Sequence, residues 1–138
     1  MPVFEQVLEK YPQDVKVVFK NFPLRNHKFA MKAAIAALAA ESQGKFWEFH
    51  DLLFENYNKL NDAKFEEIAK SLGMNMKQFK EDMKNPALTA KVQRDLKDGI
   101  EAGVRGTPAI YVNGRIPQQR SLSGFKQVID AELAKKKK

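Results

Sequence analysis

Gly103-Val104-Arg105-Gly106-Thr107-Pro108-Ala109-Ile110-Tyr111-Val112-Asn113-Gly114 is the stretch on which the reading of this chain turns. Two glycines flank a short basic bend, Thr107-Pro108 follows, and a β-branched and aromatic run is closed by Asn113-Gly114. The run reads as a strand entered through a proline-fixed turn and left through a type I′ hairpin turn, which Asn-Gly favours. Proline cannot donate to a ladder, so Pro108 belongs at the first residue of the strand or on an edge. The plain reading of the residues is a trans-Pro turn feeding a strand. X-Pro bonds prefer trans by only about 0.5–1 kcal/mol, so a surrounding fold can also lock the cis form. A cis Thr107–Pro108 bond would aim the Gly106–Thr107 backbone outward, ready to pair with an extended peptide. Arg115-Ile116-Pro117 forms the return limb, kept short or on an edge by Pro117.

Upstream, Leu88 to Ala102 carries Leu88, Val92, Leu96 and Ile100 four apart, a helix closed by Gly103. Before it come four more helical patterns. Phe29 to Glu41 is alanine-rich and stopped by Ser42-Gln43-Gly44, and Phe46 to Phe54 is rich in aromatics. A third is capped by Asp62 and stopped by Gly73, and a fourth is capped by Asn75 and interrupted at Asn85-Pro86. Val15 to Lys20 reads as a strand with Val15, Val17 and Phe19 on one face, ended by Pro23. Pro2 to Tyr11 has Val3, Phe4, Val7, Leu8 and Tyr11 at helical spacing, with no capping residue before it. Downstream, Ser121 or Ser123 opens a last helix carrying Phe125, Val128, Ile129 and Leu133. The order is α-β-(about five helices)-β-β-α.

With 138 residues, 43% hydrophobic and 30% charged, the chain has apolar material for one globular domain over residues 1–138. It has no run of about 18 apolar residues, so no membrane span is expected. Its first residues lack the basic and apolar regions of a signal peptide, which as written leaves it unaddressed for export. The formal charge is +7, but Lys135–Lys138 alone supply four lysines. Elsewhere lysine alternates with acid as on solvated helix faces, and no aromatic platform or arginine cluster accompanies the lysines, so nucleic-acid binding is unsupported.

The chain has no cysteine, which rules out a disulfide, a thiolate nucleophile and a Cys-ligated metal within these residues. His27 and His50 lack ligand-spaced partners, and His50 sits among Trp47, Phe49, Leu52 and Leu53 as a structural histidine would. Glu66-Glu67 and Glu81-Asp82 are adjacent on helices and diverge. Ser42, Ser71, Ser121 and Ser123 fall at helix ends, where capping explains them, and Gly103-x-x-Gly106 lacks the Lys-Ser/Thr of a phosphate loop. The Trp47 and Phe cluster reads as core packing ahead of a ligand pocket. No catalytic residues, metal site or cofactor emerge.

The order of elements, with Val104-Arg105-Gly106-Thr107-Pro108-Ala109-Ile110-Tyr111-Val112-Asn113-Gly114 before the final helix, resembles the DsbA-like branch of the thioredoxin superfamily. So do Val17-Val18-Phe19-Lys20-Asn21-Phe22-Pro23-Leu24, the alanine-rich helix, and Gly44-Lys45-Phe46-Trp47-Glu48-Phe49-His50-Asp51-Leu52-Leu53-Phe54. The resemblance spans essentially the whole chain. It implies an α/β thioredoxin-like fold with a large helical insertion over about residues 26–103. It also implies a cis Thr107–Pro108 bond, and a surface at Gly106, Thr107 and Pro108 that binds extended or unfolded polypeptide.

Relatives of that kind act as thiol–disulfide oxidoreductases through a Cys-x-x-Cys pair, usually in the bacterial periplasm or cell envelope. This chain departs there: Met1-Pro2-Val3-Phe4 resembles the middle of the helix that the pair would begin. The expectation is an N-terminally truncated sheet and a redox-inactive chain, since exchange needs an attacking thiolate. The strand expected between residues 15–20 and 109–113 is absent too. Unpaired buried backbone groups cost roughly 1–3 kcal/mol each. The gap is therefore expected to close, either by the two strands moving together or by a strand-swapped homodimer. Two alternatives to a truncated oxidoreductase are a redox-inactive module that binds peptides and a structural partner completed by another chain's strand.

Overall fold

The computed structural model describes residues 2–24 and 27–136. It contains seven helices among them: α1 Pro2–Lys10, α2 Ala30–Glu41, α3 Phe46–Glu55, α4 Asp62–Ser71, α5 Met76–Met83, α6 Pro86–Glu101 and α7 Leu122–Lys136. Two compact units result, one made of residues 1–19 and 106–138, the other of residues 20–105. Of the expected insertion over residues 26–103, residue 26 lies outside the described residues and residues 27–103 fall in the second unit.

In that second unit α2 is the central element. Ala33, Ala36, Ala37, Ala39 and Ala40 are buried, together with Ile35 and Leu38. Small side chains around a helix let neighbours approach from several sides, and α3, α4, α5 and α6 all pack on it. Phe49, Phe65 and Phe79 fill the space around the alanines, and Val92 packs from α6 against Ile35 and Leu38. Asparagine side chains begin three of these helices. Asn61 accepts from the Lys64 amide at 2.7 Å, Asn75 from Gln78 at 3.1 Å and Asn85 from Ala87 at 2.9 Å. The first shifts the expected cap back from Asp62, which is the opening residue of α4. Pro86 occupies the first turn of α6, where its missing N–H costs nothing, so the helix starts there rather than at Leu88.

The face of α6 also differs from the expected stripe. Val92 and Asp95 are buried, whereas Ile100 is 53% exposed. A strict spacing of four drifts around a helix of 3.6 residues per turn. Val92 and Asp95 are thus the buried pair, with Leu88, Leu96 and Gly99 half-buried beside it. At Gly99 an added Cβ would stand 2.7 Å from the Phe22 ring. Asp95 Oδ2 accepts from both the Asn21 backbone N–H (3.1 Å) and the Asn21 Nδ2 (2.9 Å), fixing the chain just after the 15–20 run.

In the first unit, Val7 and Tyr11 of the N-terminal segment pack with Phe125 and Ile129 of α7, and Val15, Ile110 and Val112 close over them. Phe4 lies 5.8 Å from Phe125, centroid to centroid. Tyr11 Oη donates to Asp130 Oδ1 at 2.6 Å, and Asp130 also takes Lys126 Nζ at 2.6 Å. Ser121 caps α7, its Oγ accepting from the Gly124 amide at 3.1 Å. Position 124 has no room for a side chain, because a Cβ there would meet the Gln119 carbonyl oxygen at 2.2 Å.

The expected sheet is not formed. Among the described residues the β-pairing is one antiparallel bridge, Val112 with Arg115. Residues 15–20 and 109–111 are irregular segments without a ladder, and no bridge pairs the two runs. An isolated two-stranded ribbon is marginal on its own, and Pro117 stops the return limb two residues beyond Arg115. The side-chain alternation nonetheless survives in part: Val15 and Val17 are half-buried, and Lys16 and Val18 are exposed. Phe19, expected on the inner face, is exposed.

Candidate functional site

The Asn113-Gly114 turn is the fixed point of the site. Asn113 has φ 48° and Gly114 φ 80°, the two positive values a type I′ turn requires. Val112 N–H donates to Arg115 O at 2.7 Å, and Arg115 N–H donates back at 3.0 Å. Arg115 Nη1 reaches Glu132 Oε1 of α7 at 3.2 Å, and Lys135 Nζ shares that oxygen at 3.3 Å. The guanidinium of Arg115, and then Lys135, hold the Glu132 carboxyl below the usual carboxylate range. The hairpin is thus anchored to α7 by a charged clasp on one side and by Ile110 and Val112 in the core on the other.

From that anchor the chain runs back through Tyr111, Ile110 and Ala109 to Pro108, Thr107 and Gly106. The Thr107–Pro108 bond is cis, not the trans turn that the residues read alone make simpler. Gly106, Thr107, Pro108, Ala109 and Tyr111 are exposed, and only Ile110 is half-buried. Among the described residues, no backbone N–H or C=O from Gly106 to Tyr111 has a hydrogen-bond partner. Lys16, Val17 and Val18 share that property. Two stretches of unpaired backbone therefore lie on the same apolar cluster, through Val15 and through Ile110.

A shallow cleft of about 100 Å³ adjoins the first stretch, lined by Ala109, Ile110, Tyr111, Ile116, Pro117 and Arg120. Ile116 is 71% exposed and Tyr111 40% exposed. Arg120 is exposed, and among the described residues it has no carboxylate partner.

Other candidates from the sequence lie elsewhere. His27 is exposed. His50 is buried within the second unit, its Nδ1 3.3 Å from Asp51 Oδ1 and its ring 4.7 Å from Phe54, 5.5 Å from Trp47 and 5.8 Å from Phe46. Glu67 pairs with Lys64, while Asp82 takes the Ser42 hydroxyl and the Gln78 amide. Ser71 bonds back to Ile68 O, as a helix-end serine does. No group of three or more His, Asp or Glu side chains among the described residues is placed to hold a metal ion. Nor is any described helix long and apolar enough to cross a membrane. Sequence reasoning missed the cleft and Arg120, because nothing local marks Ile116, Pro117 and Arg120 as neighbours of Ala109–Tyr111.

Helices packed on one unit, a proline-led hairpin and a closing helix define the class to which this chain is similar: proteins of thioredoxin-like fold. Residues 2–131 match the thioredoxin family, and the chain belongs to it. It is similar to the crystal structure of a thioredoxin-like oxidoreductase from Silicibacter pomeroyi, with a TM-score of 0.80 and 25% identity, covering 97% of this chain and 77% of that one. Among curated proteins it is 34% identical over 115 residues to Na+/H+ antiporter NhaA 3 of Salinispora tropica. It is 32% identical over 115 residues to Na+/H+ antiporter NhaA 1 of Salinispora arenicola. Each of these matches covers 83% of this chain but 18% of the antiporter. The chain therefore spans about a fifth of the length of the curated relatives it matches.

Proposed function

We propose that this chain is a peptide-holding module of the thiol–disulfide oxidoreductase lineage, DsbA-like in its arrangement. It presents Gly106, Thr107 and Pro108 to extended or unfolded polypeptide. The observation that carries this reading is the largely exposed backbone from Gly106 to Tyr111, unpaired among the described residues and followed by the Asn113-Gly114 turn. An extended chain laid along it gains backbone hydrogen bonds, as in other strand additions. The Pro108 ring and the Thr107 side chain, both exposed, supply contact surface beside that ladder.

Thiol exchange needs a thiolate to attack and a second thiol to resolve the mixed disulfide. With no cysteine, these residues hold a substrate but exchange nothing with it. Membership of the thioredoxin family and the likeness to an oxidoreductase support the lineage. We place the module, by that lineage, in the bacterial periplasm or cell envelope. We also take residues 1–138 as one domain, with residues 26–103 inserted in it.

A second reading rests on Lys16–Val18, whose unpaired backbone offers a further edge. In it, a strand from another chain, such as a second copy in a swapped dimer, occupies the space permanently. The two are separated by titrating the full chain with a permanently unfolded, carbamidomethylated polypeptide while following amide shifts and oligomeric state. The first reading expects shifts at residues 106–111 and several-fold weaker binding in Pro108→Ala, with a monomer throughout. A strict dimer, indifferent to the polypeptide and to Pro108→Ala, overturns it in favour of the second.

A further inference from the structure

We propose that the cleft beside Ala109–Tyr111 is a side-chain subsite, and that Arg120 makes it selective for a carboxylate two residues away from an apolar side chain. This rests on the peptide-holding reading above and specifies which sequences that surface prefers. The occupant is fixed by three features of the site. The unpaired backbone of Ala109, Ile110 and Tyr111 calls for an extended chain rather than a helix. In an extended chain, residues i and i+2 point to the same side, so two alternate side chains meet the cleft together. Ile116 and Pro117 offer one of them an apolar wall, and Arg120 stands at the same cleft with no carboxylate partner among the described residues.

Charge complementarity decides the second side chain. Arg115 and Lys135 pair with Glu132, and Lys126 pairs with Asp130. Arg120 is the cation lining the cleft, and it lacks an acid among the described residues. Its planar fork suits a carboxylate held in two contacts. An acidic side chain is therefore favoured over its neutral isostere, and a basic one is disfavoured.

The test uses the full chain and two fluorescein-labelled heptapeptides. One has leucine followed two residues later by glutamate, and the other has glutamine in place of that glutamate. An exposed ion pair of this kind is worth a preference of about two- to fivefold. The glutamate peptide is expected to bind tighter by that factor at low salt, with the preference shrinking as salt is raised. In Arg120→Glu the order of the two peptides is expected to reverse. Equal affinities for both peptides, unchanged in Arg120→Glu, overturn the assignment of Arg120 and leave the peptide-holding reading standing. Failure of both peptides to bind the unaltered chain overturns the two together.

Discussion

Tyr11 and Asp130 lie 119 positions apart, and their 2.6 Å hydrogen bond ties the first helical segment to α7. Burial, and then the Asp130 carboxylate, push the Tyr11 phenol from 10.0 up to about 12. Asp130 in turn is held below its ordinary value, first by Lys126 and then by Tyr11. Replacing Tyr11 with phenylalanine removes the bond but keeps the packed ring, so unfolding by urea at pH 7 is expected to become easier by about 1 kcal/mol. The pH dependence has a definite sign. A phenol harder to ionise in the fold than in the unfolded chain contributes fully below pH 10, and that contribution is lost as pH rises from 10 through about 12. The advantage of the unaltered chain over Tyr11→Phe should shrink across that window. On the acid side, the Asp130 contribution is present above the ordinary carboxylate range and lost as pH falls through its lowered value. Much of that loss should persist in Tyr11→Phe, because Lys126 is the larger cause. A difference between the two proteins that stays flat from pH 10 to 12 would sink the assignment.

Helix α6 shows where an element is legible and where it is not. Its start is written locally, in Asn85-Pro86, and its end in Gly103, with φ 88°. Asn75, Asn113-Gly114 and the alanine run of α2 are legible for the same reason, since caps, turns and propensity act within a few residues. The face that α6 buries is not local. Leu88, Val92, Leu96 and Ile100 suggest one stripe, but the partners of the helix select Val92 and Asp95 and leave Ile100 exposed. A buried aspartate there has meaning only once Asn21, 74 positions away, is brought to it. The two strand-like runs fail in a related way, because a ladder is a property of two segments and the residues of one cannot supply it. Likewise Thr107-Pro108 stands out in the sequence, whereas Arg120 joins the site only through the hairpin. The face of α6 is open to measurement. Asp95→Leu leaves the Asn21 N–H and amide without their acceptor and should destabilise the chain by about 1–3 kcal/mol in urea unfolding. Ile100→Ala should change stability by less than about 0.5 kcal/mol. The reverse order would return the buried face to the stripe of fours.

Across the whole molecule the two compact units differ in what holds them. Around α2, Ala36, Ala39, Ala40, Phe49, Ala69 and Val92 are fully excluded from solvent, and three large aromatic rings fill the spaces between helices. In the unit of residues 1–19 and 106–138, the buried cluster is Val7, Tyr11, Phe125 and Ile129, under half-buried neighbours. Local opening costs least where few apolar contacts are lost and where backbone groups are unpaired, and it approaches the global cost in a dense core. Native-state hydrogen exchange on the full chain should therefore rank its segments. Amides from Ile35 to Ala40 are expected to exchange slowest, and those of α1 and α7 faster. Val17, Val18 and Ala109 to Tyr111 should exchange almost as freely as an unfolded chain, since they have no acceptor among the described residues. Equal protection in α2 and α7 would mean that the smaller cluster is the stronger of the two, against its burial. Protection at residues 109–111 in the purified protein would mean that something already pairs with them, and the swapped-strand reading would then displace the open peptide site. Free exchange there, turning to protection when an extended peptide is added, is the outcome that an unfilled backbone edge requires.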